Sequence, residues 1–402
     1  MDHWKDFVDW CQNPSKVKVH TFNPKNITLI AFSILLISII VSGTWVYPIY
    51  QVHSITRERY PIFTSISGDG TKIAYTSYVG IGVSEIFVVN SDGTGLTQLT
   101  SNQAFNLHPS ISGDGTKIAF HSNLDGDEEI FVVNSDGTGL TQLTDNTATD
   151  SYASISGDGT KIAYTSNVDG DKEIFVVNSD GTGLTQLTHN TRDDEEVSIN
   201  GDGTKIAYTA SAPPPIEISV VNSDKTGLTQ LTPISGNHRY PSISCDGSKI
   251  AFHGWTNAGL DIIMINSDGT GETQLTSCGS FNSYASISGD GSKIAFQSKT
   301  DGDDEIFVVN SDGTGLTQLT DNTATDLYPS INTDGTKIAY TSNVNGDYEV
   351  FVVGLESNSD HWYIMKFKTG FSFPIEYAAT GTLAVIVTAV LVVFSLLRKK
   401  LI

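Results

Sequence analysis

The chain has 402 residues and a formal charge of −22. That is long enough for a large buried core, and acidic enough to exclude nucleic acid as a partner, because its phosphates would be repelled. Three cysteines, Cys11, Cys245 and Cys278, exclude a disulfide scaffold.

Residues 1–26 form a polar lead with Lys16, Lys18 and Lys25 near its end. Residues 27–46, ITLIAFSILLISIIVSGTWV, run for twenty positions without a charge, enough as a helix rising about 1.5 Å per residue to cross a hydrocarbon core of roughly 30 Å. The polar lead and the lack of a small-x-small cleavage site mark a signal anchor rather than a cleaved signal peptide. Near the far end, residues 358–377 read as a juxtamembrane linker. A second uncharged run at 378–397 follows, then the basic tail 398–402 with Arg398, Lys399 and Lys400. The cations before the first run outnumber Arg57 and Arg59 after it, and those after the second outnumber Lys366 and Lys368 before it. Positive charge stays inside, so the expectation is a cell-membrane protein with both termini cytoplasmic and residues 52–357 on the extracytoplasmic side. Trp45, Tyr47, Tyr50, Trp362, Tyr363 and Tyr377 suit an aromatic belt at the outer interface.

Between the two apolar runs the sequence repeats. A marker of the form S-x-S-G-D-G-T-K-I-A-Y places Asp at 69, 114, 158, 202, 246, 290 and 334, and a second, N-S-D-G-T-G-L-T-Q-L-T, places Asp at 92, 136, 180, 224, 268 and 312. The second marker is missing from the seventh unit. Each unit of about 44 residues breaks into four short runs bounded by Asp-Gly-type turns, with apolar positions alternating at period two rather than 3.6. In the second unit these runs predict strand A at Pro109–Ser112, B at Lys117–Ser122, C at Glu129–Asn134 and D at Leu140–Thr144. Four strands per unit predict an all-β fold, a seven-bladed β-propeller flanked by an N-terminal and a C-terminal transmembrane helix. Residues 129–150 and 305–326 are identical, which points to recent duplication and marks most repeated residues, such as Lys72 and its equivalents, as scaffold.

Pro329 through Tyr340, followed by Glu349-Val350-Phe351-Val352, resembles the TolB-like propeller repeat. That repeat is also known as PD40 or WD40-like and is found in the propellers of prolyl oligopeptidase-like enzymes. The resemblance spans nearly 300 residues. It departs where the family's Pro before Asp-Gly is replaced by Gly, Cys245 or Thr333, and nothing in the chain matches TolB's separate α/β domain or a hydrolase domain. Phe373-Pro374-Ile375-Glu376-Tyr377 with the apolar run and basic tail is similar to the C-terminal anchors of archaeal surface proteins, some of which are exchanged for a lipid. Those usually carry Pro-Glu-Phe or Pro-Gly-Phe, so a plain transmembrane helix is expected.

The missing seventh D strand must come from elsewhere. Val52–Thr56, as far before the first A strand as Leu96–Thr100 is before the second, is expected to supply it; His361–Met365 is the competing segment. On N-terminal closure both tethers leave one face, and the loops between D and A and between B and C form the opposite, distal face.

Two groups of residues on that face are candidates for binding. Phe63, His108, Tyr152, Glu196, Tyr240, Tyr284 and Tyr328 stand just before the A strands and would form one circle near the channel mouth, either as a ligand-binding rim or as wedges between blades. The B-to-C turns hold Asp125, Asp127 and Glu129; Asp169, Asp171 and Glu173; and Asp301, Asp303 and Glu305. Their alternating carboxylates suit Ca²⁺, although Asp-Gly is also what a tight hairpin needs. No other cofactor is expected. No nucleophile elbow is present, and His108, His121, His189, His238 and His253 lack short metal-ligand spacing. Some TolB-like propellers are sugar lyases with a His-bound metal, so the resemblance leaves a metal-dependent polysaccharide lyase or hydrolase as the alternative. A structural cell-envelope protein is a third. The preferred expectation is a monomeric, non-enzymatic propeller that binds a protein, peptide or glycan at its distal face.

Overall fold

The computed structural model describes residues 61–355, apart from residues 169, 212–214, 234–235, 278, 300–301, 345 and 347, together with strand backbones at His361–Lys366 and Ser372–Tyr377. Both apolar runs, Val52–Thr56, Cys11 and Cys278 lie outside the described residues. Among those that are described, no helix is long and apolar enough to cross a membrane.

Each of the first six repeats pairs its strands antiparallel in the order A-B-C-D. In the second repeat the strands are Asn106–Ile111, Lys117–Ser122, Glu129–Asn134 and Thr141–Gln142. B and C coincide with expectation. Strand A begins three residues earlier than the sequence suggests, because the chain passes through a bulge between Leu107 and Ser110 and resumes pairing with B. Strand D shrinks to a Thr-Gln pair. Leu143 N still donates to Ile130 O at 2.8 Å, but Leu140 is left exposed at the edge, so only two residues keep regular register. The repeats over 239–274 and 281–318 are joined into one larger sheet by a single parallel bridge from Leu260 to Phe281.

In the last repeat the C strand Glu349–Gly354 pairs with Lys337–Ser342, in a sheet of three strands among the described residues. His361–Lys366 pairs instead with Ser372–Tyr377, so the segment expected as a linker contains a hairpin, and the competing closing strand is committed to it.

Alternation along strands B and C gives each sheet two unlike faces. In the second repeat Ile118, Phe120 and Phe131 point one way and Ala119, Ile130 and Val132 the other. The ring-bearing face packs on the small Ala74 of the preceding sheet, and Ala119 makes room for Tyr164 of the following one. Large against small lets the faces of adjacent sheets interdigitate, and each fully buried side chain contributes about 1.5–3 kcal/mol of transfer free energy. The same pairing joins the last repeat to the first, through Ala339, Val350 and Val352 against Ile73, Tyr75 and Phe87.

Lysines of the repeat lock neighbouring sheets together. Lys72 Nζ donates to Gly115 O at 3.2 Å and Ser135 Oγ at 2.7 Å on the next sheet. Lys337 makes the corresponding bonds to Gly70 O and Ser91 Oγ, 3.0 and 3.2 Å, between the last sheet and the first. This is the scaffold role expected of Lys72 and its equivalents.

Candidate functional site

The A strands surround a cavity of about 290 Å³. Its mouth is set by the bulge in each A strand. Phe63, His108, Tyr152, Glu196, Tyr240, Tyr284 and Tyr328 all adopt φ between +51° and +57°, a left-handed conformation that costs a residue with a Cβ roughly 1–2 kcal/mol. The bulge turns each of these side chains out of the sheet's alternation and toward the axis. Sequence reasoning placed them before strand A; they lie inside it, since a left-handed residue interrupts the apolar pattern without ending the pairing.

The rings meet edge to edge around the axis. Phe63 lies 3.7 Å from His108 and 4.7 Å from Tyr328 between ring centroids, His108 4.9 Å from Tyr152, and Tyr284 5.0 Å from both Tyr240 and Tyr328. The circle is therefore made, and the rings touch their neighbours while still lining the cavity. Burial pushes His108 down to about 4, so it is neutral near pH 7, and pushes Tyr328 up to about 12.

Glu196 interrupts the rings. Its Oε2 accepts from Tyr240 N at 2.9 Å and from Thr209 Oγ1 at 2.8 Å, while Oε1 meets Arg239 Nη1 at 2.9 Å. Arg239 also reaches Glu195 at 3.2 Å, and Lys172 holds the other oxygen of Glu195 at 2.8 Å. The exception in the aromatic circle is thus a carboxylate whose charge is already matched.

Two further tiers escaped sequence reasoning. Behind the rings stand strand-B residues, His121 against His108 at 5.2 Å and His253 against Tyr240 at 5.3 Å, both held neutral by burial, at about 3 and 4. Below the rings, seven serines from Ser65 to Ser330 line the cavity. Each accepts a hydrogen bond from an Ile N–H on an adjacent sheet, as Ser65 does from Ile111 at 3.2 Å and Ser330 from Ile66 at 3.1 Å. The signal was the first Ser of S-x-S, which recurs in every unit and so was read as scaffold alone.

At the opposite end of the A strands the turns are tied to one another through backbone. Gly113 N donates to Gly157 O at 2.8 Å, Gly201 N to Cys245 O at 2.9 Å, Cys245 N to Gly289 O at 2.9 Å, and Thr333 N to Gly68 O at 3.0 Å. A Cβ at Gly201 would lie 2.8 Å from Cys245 O, so the approach requires glycine there. Where the turn carries a side chain, Cys245 and Thr333 flank Gly289, with Sγ and Oγ1 3.8 Å apart. Cys245 is a free, exposed thiol.

The acidic turns are arranged differently from the sequence expectation. Asp125 is exposed and accepts from Gln142 at 2.6 Å, whereas Glu129 turns inward and is fully buried, with Thr144 Oγ1 and Asn146 N (2.7 Å) as donors. Asp127, Asp171 and Asp303 stay on the turns; Glu173 and Glu305 are buried as Glu129 is. Asp169 and Asp301 lie outside the described residues, and among those described no three His, Cys, Asp or Glu side chains converge. The buried glutamates meet a second carboxyl on the next A strand: Glu129 faces Asp150, Glu173 faces Asp194, and Glu305 faces Asp326. Burial first, then the neighbouring carboxyl, pushes Glu129 and Glu305 up to about 7; burial does the same to Asp194. Elsewhere an amide replaces one acid, as Asn106 does beside Glu85 at 3.1 Å.

Antiparallel sheets packed face to face about one channel, with A strands innermost, define a β-propeller. A family model described as the TolB beta propeller domain matches residues 49–283 and 240–370. The chain belongs to that family. Oligogalacturonate lyase from Vibrio parahaemolyticus is similar in fold, with a TM-score of 0.60 and 13% identity over 76% of this chain and 93% of its own. So is the β-propeller domain of the Trilobed protease from Pyrococcus furiosus, with a TM-score of 0.58 and 13% identity over 75% and 94%. TolB from Acinetobacter baumannii is 21% identical over 54% of each chain, with a TM-score of 0.45; this chain thus spans about half of that protein's length. No curated protein matches the sequence.

Proposed function

We propose that the chain is a seven-bladed propeller, held on the extracytoplasmic side of a membrane by helices at 27–46 and 378–397, and that it is a non-enzymatic binding module whose contact surface is the aromatic mouth. The observation that carries this reading is the left-handed backbone at all seven rim positions. Residues held in a costly conformation around a shared cavity mark a site rather than a packing requirement. Rings that touch one another yet keep one edge on the cavity supply rigid contact area at low entropic cost. Variation among Phe, His, Tyr and Glu on one backbone tunes such a surface without disturbing the sheets.

The test uses full-length protein in lipid nanodiscs, exposed separately to protein and glycan fractions of the cell envelope. A component retained by the wild type and released by the Tyr284→Ala/Tyr328→Ala variant is the expected result. Equal retention by both, with the variant folded, overturns the assignment to the mouth. Protection of the propeller from external protease in whole cells overturns the membrane topology.

A further inference from the structure

The chemistry of the mouth selects among ligands, and this inference rests on the binding reading above. The cavity is a cup: rings form its wall and the serine hydroxyls its lower tier, and the turns that follow the A strands bond to one another in a circle. At about 290 Å³ it stands at the low end of ligand pockets, which run from ~300 to 1,000 Å³. That is room for one small ring, not for a folded peptide segment.

Its polar inventory is dominated by hydroxyl groups. Each serine oxygen already accepts an Ile N–H, and its hydroxyl hydrogen donates to no protein acceptor among the described residues. The lower tier is therefore a circle of hydroxyls, each with an unspent donor and one remaining lone pair, which suits a ligand whose own hydroxyls both accept and donate. Charge is also matched out. Glu196 is the one carboxylate in the lining, and Arg239, Tyr240 N and Thr209 already satisfy it. Among the described residues, no cation lines the cup to hold a uronate or phosphate.

We propose that the cup binds the neutral terminal sugar of a glycan, inserted end-on, with its C–H faces against the rings of Phe63, Tyr284 and Tyr328 and its oxygens accepting from the serine hydroxyls. Apolar faces and oxygen-bearing edges in one compact ring match the two tiers of the cup.

Full-length protein in nanodiscs is titrated, by saturation-transfer NMR, with oligosaccharides ending in neutral hexose or N-acetylhexosamine, and with counterparts ending in uronic acid. A neutral terminus should bind. Its affinity should fall roughly tenfold in Tyr284→Ala, the loss of about 1.4 kcal/mol of ring contact, and severalfold in Ser286→Ala. Tyr284→Phe keeps the ring and should retain most of the binding if the serine substitution proves to perturb folding. Leu228→Ala, exposed on the perimeter, should change nothing. Tighter binding of the uronate series, or no saccharide binding by folded protein, overturns the proposal. If saccharides fail but Tyr284→Ala/Tyr328→Ala still releases an envelope protein, only the sugar assignment falls. If neither effect is seen, the binding module falls with it.

Discussion

The two ends of the channel are built from the same repeat by opposite means. At the floor, side chains are nearly eliminated so that main-chain groups of adjacent sheets can bond directly; Gly113 N reaches Gly157 O at 2.8 Å. At the mouth, the backbone is forced into the left-handed region so that large side chains converge, and their identity changes from Phe63 to His108 to Tyr152 to Glu196. A repeat can therefore hold the geometry of a position constant while leaving its chemistry free. The floor keeps to small residues, glycine at most positions with Cys245 and Thr333 at two, because contact is made by backbone; the mouth accepts several large ones because contact is made by side chains.

The largest effect should come from violating the floor. In Gly201→Val the new Cβ would sit 2.8 Å from Cys245 O, and the turn must move away from its neighbour, at a cost of about 3 kcal/mol or more. Chemical denaturation of the detergent-solubilised full chain measures it. A variant as stable as wild type would mean that the floor does not hold the sheets together, and the contrast with the mouth would lose its basis.

An intermediate effect belongs to the acid pairs, which lie at neither end but between sheets. Glu129, Asp194 and Glu305 carry folded-state values of about 7, above the ~4 of an unfolded carboxyl. The folded state thus binds the extra protons, and the stability these groups contribute is complete below about pH 4 and lost as pH rises through about 7. Thermal unfolding followed from pH 5 to 8.5 should show a falling midpoint. Glu129→Gln and Glu305→Gln should flatten that slope, because an amide beside the partner acid reproduces the acid–amide pairing already present at Glu85 and Asn106. A midpoint rising across this window would contradict the pairing.

The smallest effect tests strain at the mouth. Tyr284→Ala and Tyr284→Gly both remove the ring, but only glycine relaxes the φ of +51°. The glycine variant should be the more stable of the two by about 1 kcal/mol. Equal stability would show that the left-handed backbone carries little strain and would weaken the argument from it.

Much of this molecule is legible from its sequence because the repeat supplies many readings of one pattern. Strands B and C, the turns at Asp114 and its equivalents, the circle from Phe63 to Tyr328 and the scaffold role of the lysines all follow from period and spacing, which are local properties. The length of strand A did not follow, since a bulge and a strand end look alike in sequence; nor did the fate of strand D, which depends on how far an edge can keep register. His361–Lys366 could equally have closed the last sheet, and its pairing with Ser372–Tyr377 is a competition between two hydrogen-bonding partners. The serines illustrate the same division. Their recurrence is visible in the sequence, but only the packing of one sheet on the next engages their oxygens and turns them toward the axis. What Glu129 does, buried against Asp150 rather than poised on its turn, likewise depends on a contact 21 residues away on another sheet. The sequence by itself determined the repeated unit; tertiary structure alone decided which faces of that unit meet, because convergence about an axis is a property of all the sheets together and of no single repeat.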